Sequence, residues 1–116
     1  MNNYGVEESY IPQTTGEIYD LLIAFVHESP SFVDASGDFP WRNLESEFHA
    51  LNQGWKNVRK KLGEEEYGLA VSITARMKEM FVRDPEDVTG ETQEGRKLVY
   101  QLEDIIKRSN DRKRKP

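Results

Sequence analysis

The sequence predicts an all-α protein: an antiparallel helical bundle of about four helices, with a disordered basic C-terminal tail. Two observations support this fold class. Apolar residues recur at spacings of three and four in four separate segments, which is the period of an amphipathic helix. Stretches rich in Pro, Gly, Ser and Asp separate these segments. We therefore expect one helical domain over residues 1–109 and a flexible basic tail over residues 110–116.

The first helix is predicted over residues 14–29. Thr14 and Glu17 have the spacing of a capping box. Ser29 precedes Pro30, and the residue before a proline avoids helical backbone angles, so the helix should end there. Its apolar face comprises Ile18, Leu21, Leu22, Phe25 and Val26.

The segment that follows is a loop by its Pro, Ser, Asp and Gly content. We expect its three large apolar residues, Phe32, Val33 and Phe39, to anchor it to the core.

The second helix is predicted from about Trp41 to Leu62. Gly54 within it costs up to about 1 kcal/mol in helix propensity, unless a neighbour packs closely there. Gly63 is a suitable helix end. The apolar residues are spaced alternately by four and three, as in a heptad seam: Leu44, Phe48, Leu51, Trp55, Val58 and Leu62.

The third helix is predicted to begin at Glu64 and to end before Asp84 and Pro85, since proline disfavours the helical region at the preceding residue. Its apolar residues form two adjoining stripes that together make a wide face: Tyr67, Ala70, Thr74, Met77 and Phe81, beside Leu69, Ile73 and Met80.

The fourth helix should start near Thr89 or Thr92. The small Gly95 on its apolar face would let another backbone approach closely. No apolar residue follows Lys107, so the chain beyond it is expected to fray. The apolar face comprises Gly95, Leu98, Leu102 and Ile105, widened by Val99 and Ile106.

Composition excludes several kinds of chemistry. The chain has no cysteine, which rules out disulfides and thiol nucleophiles and is compatible with a reducing cytosol. The start, MNNYGVEESY, lacks the basic and apolar regions of a secretory signal, and no apolar run is long enough for a membrane span. We therefore expect a cytoplasmic protein without a membrane partner.

Catalytic motifs are missing as well. Neither His27 nor His49 has a glutamate three residues before it, as the Glu-x-x-His motif of helical di-metal sites requires. Glu91 and Glu94 could share a helix face, but this pattern is more typical of a helix start than of a magnesium site. Phosphate-binding and nucleophile motifs are absent from the sequence. We expect no enzyme activity, no metal and no cofactor.

The charge is unevenly distributed. The chain carries −5 overall, the last ten residues carry +5, and the first 106 therefore carry −10. No Lys or Arg occurs before Arg42. An acidic body attracts basic partners and repels nucleic acid, and a net charge of this size serves solubility equally well. The tail contains no aromatic residue that could stack on bases, so nucleic-acid binding is the less favoured interpretation.

Two groups of residues are candidates for a binding surface. The segment RDPEDVTGETQEGRKL, residues 83–98, concentrates five carboxylates, which either cap the following helix or face a basic partner. Trp41, Tyr4, Tyr10 and Tyr19 fit the helical seams poorly, and exposed aromatics beside carboxylates are typical of binding hot spots. For Trp41 taken singly, the role of a loop anchor or a helix staple is favoured over binding.

The block DPEDVTGETQEGRKLVYQLEDII, residues 84–106, resembles the C-terminal segment of small helical immunity proteins from bacterial contact-dependent inhibition and related toxin systems. It shares a D-P turn, an acidic T-G-E-T helix start and a Leu-rich amphipathic helix, over about a fifth of the chain. The resemblance implies a cytosolic protein that neutralises a cognate toxin, often a nuclease with a basic cleft.

We therefore expect an immunity protein that binds a basic toxin domain through acidic surface. The expected contact residues are Asp84, Glu86, Asp87, Glu91, Glu94, Asp34 and Asp38. One alternative is a nucleic-acid-associated or regulatory helical module that uses the basic tail. A carboxylate–metal nucleotide hydrolase ranks last.

Overall fold

The computed structural model describes residues 9–33 and 37–114. Within these ranges the chain forms five helices and no strand, which confirms the all-α prediction. The helices are α1 (Thr15–Glu28), α2 (Leu44–Asn57), α3 (Arg59–Leu62), α4 (Glu64–Arg83) and α5 (Glu91–Arg114). There is one helix more than expected, because the predicted second helix divides into α2 and the single turn α3.

The division of the predicted second helix lies at Val58. This residue has non-helical backbone angles, φ −107° and ψ 10°, yet its side chain is buried. The apolar seam therefore continues across the break. The helix also starts later than predicted: Asn43 caps α2 in a capping box with Ser46, and Trp41 lies in the turn before it.

The first helix begins and ends as predicted. The Thr14 side chain accepts a hydrogen bond from the Glu17 backbone N–H at 3.1 Å, which satisfies one of the free donors at the helix start. The helix ends at Glu28, directly before Ser29 and Pro30.

One hydrophobic core joins the five helices, and α4 packs most extensively against α5. At one end of the core lies an aromatic cluster in which the Phe32 ring stands 4.7 Å from Phe25, 5.8 Å from Phe48 and 5.8 Å from Phe81. Of the three loop residues expected to anchor the core, only Phe32 does so. Val33 is 64% exposed and Phe39 50% exposed, so the prediction was wrong for these two.

The segment before α1 is fixed against α2. A Cβ at Gly54 would lie 3.2 Å from Pro12 and 3.3 Å from Ile18, so close packing accounts for the glycine. The Asn57 side-chain amide donates to the Pro12 carbonyl at 2.8 Å. These contacts place Pro12 beside the last turn of α2.

The last helix runs further than the sequence predicts. It continues to Arg114, and fraying after Lys107 stays a prediction. Ser109 is buried, and the Thr15 hydroxyl donates to the Asn110 side-chain oxygen at 3.4 Å. A small polar side chain thus continues the packed face where apolar residues stop. Flexibility of residues 110–116 stays a prediction, and residues 115–116 lie outside the described ranges.

Candidate functional site

The first candidate surface is the acidic segment between α4 and α5. Its first carboxylate, Asp84, is only 1% exposed. Asp84 Oδ1 accepts from the backbone N–H groups of Val88 at 2.8 Å and Thr89 at 3.1 Å. Asp84 Oδ2 accepts from Thr92 N–H at 2.9 Å, and the Thr92 hydroxyl donates to the Asp84 carbonyl at 2.8 Å. Asp84 therefore folds the loop and caps α5, and it is not placed to contact a partner.

This environment changes the acidity of Asp84. Burial raises the pKa of its carboxyl, but the N–H groups of Thr92, Val88 and Thr89 outweigh that effect and lower the pKa from 3.8 to about 2. The carboxylate is therefore ionised wherever the protein is folded near neutral pH.

Replacing Asp84 with asparagine should destabilise the fold at neutral pH and reduce its acid dependence. Because the folded-state pKa is depressed, the stabilisation is complete above pH 3.8 and is lost as the pH falls through about 2. The urea midpoints of parent and variant should differ at neutral pH and converge in acid. Glu86→Gln, at an exposed carboxylate of the same loop, is the control. If the urea midpoints of parent and Asp84→Asn differed by the same amount at all pH values, the ionised Asp84 carboxylate would not be the source of the stabilisation.

The other carboxylates of this segment lie at the surface, and most are paired with nearby cations. The pairs are Asp87 with Arg96 at 3.2 Å, Glu91 with Arg83 at 3.1 Å, and Glu94 with Lys97 at 3.1 Å. Glu86 is exposed and forms no ion pair with the described residues. Local cations therefore balance much of the charge that the sequence predicts for this surface.

The remaining expected contact residues lie between α1 and α2. Asp34 falls outside the described residues. Asp38 is exposed in the turn that leads to Phe39. This turn borders the second candidate surface.

The second candidate is a groove of about 510 Å³, which we name the Trp41 groove. It lies between the segment before α1, α1 itself and the turn before α2. It is lined by Ser9, Tyr10, Pro12, Glu17, Asp20, Leu21, Ala24, Phe39, Trp41, Arg42 and Glu47. Tyr10 is 68% exposed, and the Phe39 ring packs edge-to-face on Trp41 with centroids 6.0 Å apart. The groove therefore presents three aromatic side chains at the surface.

Two carboxylates from α1 line the same groove. Glu17 Oε1 accepts hydrogen bonds from the Tyr10 hydroxyl at 3.0 Å and the Gln13 backbone N–H at 2.7 Å. The bond to Glu17 raises the pKa of the Tyr10 hydroxyl, with smaller contributions from burial and charge repulsion. Asp20, three residues along the helix, is exposed. Glu17 and Asp20 therefore give this side of the groove a negative charge.

A partly buried ionic network forms the other side of the groove. The Arg42 guanidinium pairs with Glu28 of α1 and, at 3.3 Å, with Glu47 of α2. Glu47 is 2% exposed and also accepts from the Ser9 and Ser46 hydroxyls. Burial lowers the pKa of Arg42, but the hydrogen bonds to both carboxylates reverse this, and the pKa is raised overall. This network joins α1, α2 and Ser9, and it holds the backbone next to Trp41.

A further groove of about 620 Å³ lies between α2 and α4. Its lining combines apolar residues with two lysines and one glutamate: Phe48, Asn52, Lys56, Tyr67, Val71, Thr74, Ala75, Lys78, Glu79 and Val82. Lys78 pairs with Glu45 at 2.7 Å. Because cations border this groove, it complements a basic partner less well than the Trp41 groove does.

Two negative findings concern the part of the chain that the structure describes. No three His, Asp or Glu side chains there come together in a way that could hold a metal ion. None of the helices described is both long and apolar enough to cross a membrane.

No protein-family model matches the chain, and no match was found among curated proteins or solved structures. The resemblance to immunity proteins therefore stays a prediction.

The sequence pointed towards the Trp41 groove without locating it. Tyr10 and Trp41 were notable because they fit no helical seam, and carboxylates lie near them in the chain. The expected contact set nevertheless omitted Glu17 and Asp20. The available signal was the absence of Lys and Arg before Arg42, combined with aromatics outside the apolar faces.

Proposed function

We propose that this protein is a non-enzymatic inhibitor of the immunity type, which binds and neutralises a basic toxin domain, such as a nuclease, in the cytoplasm. Its helices would form an antiparallel bundle that serves as a rigid scaffold for the contact surface. The observation that carries the proposal is the Trp41 groove, where exposed aromatic side chains lie beside carboxylates.

The composition of this groove is that of an interface centre. Tyr and Trp are enriched at binding hot spots because they bury a large area with few rotatable bonds. Phe39 is 50% exposed, so the unbound protein keeps half of an apolar ring in water. A partner that covered this ring would gain the burial energy the fold itself does not use.

The charge around the groove suits a basic partner. Its lining contains the carboxylates Glu17, Asp20 and Glu47 against one cation, Arg42. Arg42 is already paired with Glu28 and Glu47, so it offers little positive charge to a ligand. Complementary charge accelerates the encounter with a partner and selects against acidic competitors.

The acidic segment before α5 takes a secondary role in this proposal. Glu86, Asp87, Glu91 and Glu94 remain at the surface, where they add to the attraction of a basic partner over distances of about 10 Å. Asp84 serves the fold alone, because its carboxylate is buried and occupied.

The test is co-expression with a toxin domain encoded beside this gene. We expect the protein to restore growth of cells that express the toxin and to form a stable complex with it in gel filtration. We also expect the association rate to fall as salt increases, since screening weakens charge steering. Continued toxicity in the presence of the folded protein, with no complex, would overturn the proposal.

The loop's secondary role gives a second measurement on the same pair. The variant Glu86→Gln/Asp87→Asn/Glu91→Gln/Glu94→Gln keeps Asp84 and removes four surface charges. It should reduce the association rate by about two- to tenfold at low salt and leave the dissociation rate nearly unchanged. Glu65→Gln, an exposed carboxylate on α4, is the single-charge control. A large increase in the dissociation rate would place the loop in the contact itself.

A further inference from the structure

We propose that the Trp41 groove binds an arginine side chain, presented by a basic loop of the partner, with its guanidinium over the aromatic rings and against the α1 carboxylates. The identity of the partner rests on the proposed function, but the chemistry of the groove rests on the side chains that line it.

The size of the groove fits a side chain. Its volume of about 510 Å³ lies within the range of small-ligand pockets. It is open to solvent, so it can receive a group that projects from a larger surface. A single long side chain with a short piece of its backbone matches this shape better than a folded element.

The aromatic rings suit a cation. Trp is the strongest aromatic partner for a cation, and arginine is found over aromatic faces more often than lysine. Phe39 and Trp41 meet edge-to-face, so their faces point in different directions, as the two walls of a corner do. A planar guanidinium can stack on one wall while its edge stays free for hydrogen bonds.

The carboxylates suit the same group. Glu17 and Asp20 are three residues apart on α1 and therefore share one side of the helix. Both hydrogen bonds that the Glu17 carboxylate accepts from described residues fall on Oε1, which leaves Oε2 for a ligand. Guanidinium presents N–H donors along its edge and binds such oxygens in pairs.

Other occupants fit less well. An anion would meet the carboxylates, and Arg42 cannot compensate because Glu28 and Glu47 already neutralise it. A purely apolar segment would cover Asp20 and Glu17 and remove their water without replacing it, which is unfavourable. The chain's own residues 112–115 are basic, and they are the one internal competitor that the test must separate.

The experiment titrates the full chain with acetyl-arginine amide and follows the indole N–H signals by NMR. Trp41 lies in the groove and Trp55 is fully buried, so one tryptophan reports binding and the other serves as an internal reference. We expect the Trp41 signal to move with saturation and the Trp55 signal to stay. Acetyl-citrulline amide has nearly the same shape without the charge, and it should cause at most a small shift.

Variants connect the signal to the carboxylates. Glu17→Gln/Asp20→Asn keeps hydrogen-bonding oxygens at both positions and should weaken acetyl-arginine amide binding by about tenfold. The matched control Glu65→Gln/Asp104→Asn removes two exposed carboxylates elsewhere and should bind as the parent does. Circular dichroism of both variants verifies that they are folded. Equal binding by parent and Glu17→Gln/Asp20→Asn, or equal shifts with citrulline, would overturn the inference.

Deletion of residues 111–116 tests the internal competitor. We expect unchanged affinity for acetyl-arginine amide. A clear gain in affinity would show that the chain's own tail occupies the groove, and it would overturn the assignment to a partner.

Failure of the groove assignment can be distinguished from failure of the proposed inhibitor function. If the toxin binds Glu17→Gln/Asp20→Asn as tightly as the parent and arginine leaves Trp41 unmoved, the groove assignment fails while the inhibitor role stands. If arginine binds in the groove but no toxin is bound or neutralised, the groove assignment stands and the inhibitor role fails.

Discussion

Replacing Trp55 with alanine is expected to lower the free energy of unfolding by about 3–5 kcal/mol. Trp55 has the largest of the fully buried side chains, with 0% exposure. Its removal takes away the burial energy of the indole and leaves a cavity that the surrounding helices fill only in part. Since whole domains are stable by about 5–15 kcal/mol, this single change would remove a large share of the stability.

A hydrogen bond adds to the role of Trp55. The indole N–H donates to the Thr74 hydroxyl at 2.9 Å, and Thr74 is itself buried. This contact links α2 to α4. Trp55→Phe keeps most of the ring but not the N–H donor, so it should cost less than alanine, about 1–3 kcal/mol for the unsatisfied pair.

Urea unfolding followed by circular dichroism measures both effects, because the signal does not depend on tryptophan. Trp41→Ala is the matched control: it deletes the same atoms from a half-buried ring at the groove and should cost clearly less. A Trp55→Ala protein as stable as the parent would show that the core is not built around this residue.

The helices were predictable because their information is local. Alternating spacings of four and three placed Phe48, Leu51 and Trp55 on one face, and all three are fully buried or nearly so. The sequence left open whether Gly54 is a cost in helix propensity or a point of close packing, and the contacts with Pro12 and Ile18 show close packing. The break at Val58 was not predicted, since the apolar seam runs through it without interruption.

The location of the Trp41 groove was not predictable, because non-helical segments of the chain form two of its sides. Periodicity does not describe the path of residues 9–12 or 37–42. The network that fixes this path joins Arg42, which precedes α2, to Glu28 at the end of α1. A pair separated by a loop has no sequence motif.

Asp84 shows the same limit at a smaller scale. The sequence indicated a turn at this residue, and its carboxylate was grouped with its acidic neighbours. The bond from Thr92, eight residues later, is what removes Asp84 from the surface. Capping motifs join residues three apart, so this spacing carries no recognisable signal.

Replacing Gly95 with alanine should destabilise the protein by about 1–3 kcal/mol relative to a matched glycine replacement. The sequence led us to expect a close backbone approach at Gly95. The close neighbour is a side chain instead: a Cβ there would lie 2.8 Å from Cε1 and 3.2 Å from Cδ1 of Phe81. Phe81 is fully buried, with the Phe32 ring 5.8 Å and the Phe48 ring 6.1 Å away, so it has little room to move.

Gly68 provides the matched replacement. It is the fifth residue of α4, as Gly95 is of α5, and a Cβ at Gly68 would meet nothing within 4 Å. Alanine at either position gains up to about 1 kcal/mol of helix propensity. Gly68→Ala should therefore stabilise the protein. Gly95→Ala should not, because the cost of displacing the Phe81 ring exceeds the same gain in helix propensity. The difference between the urea midpoints of Gly68→Ala and Gly95→Ala measures the cost of the contact between the new methyl group and Phe81.

A second substitution identifies the atoms responsible. Phe81→Leu alone should destabilise the core, because it removes part of a buried ring. Combined with Gly95→Ala it should cost less than the sum of the two single changes, since the shorter side chain no longer meets the new methyl group. Additive effects, or a Gly95→Ala protein stabilised as much as Gly68→Ala, would show that α4 and α5 pack less closely at Gly95 than these distances require.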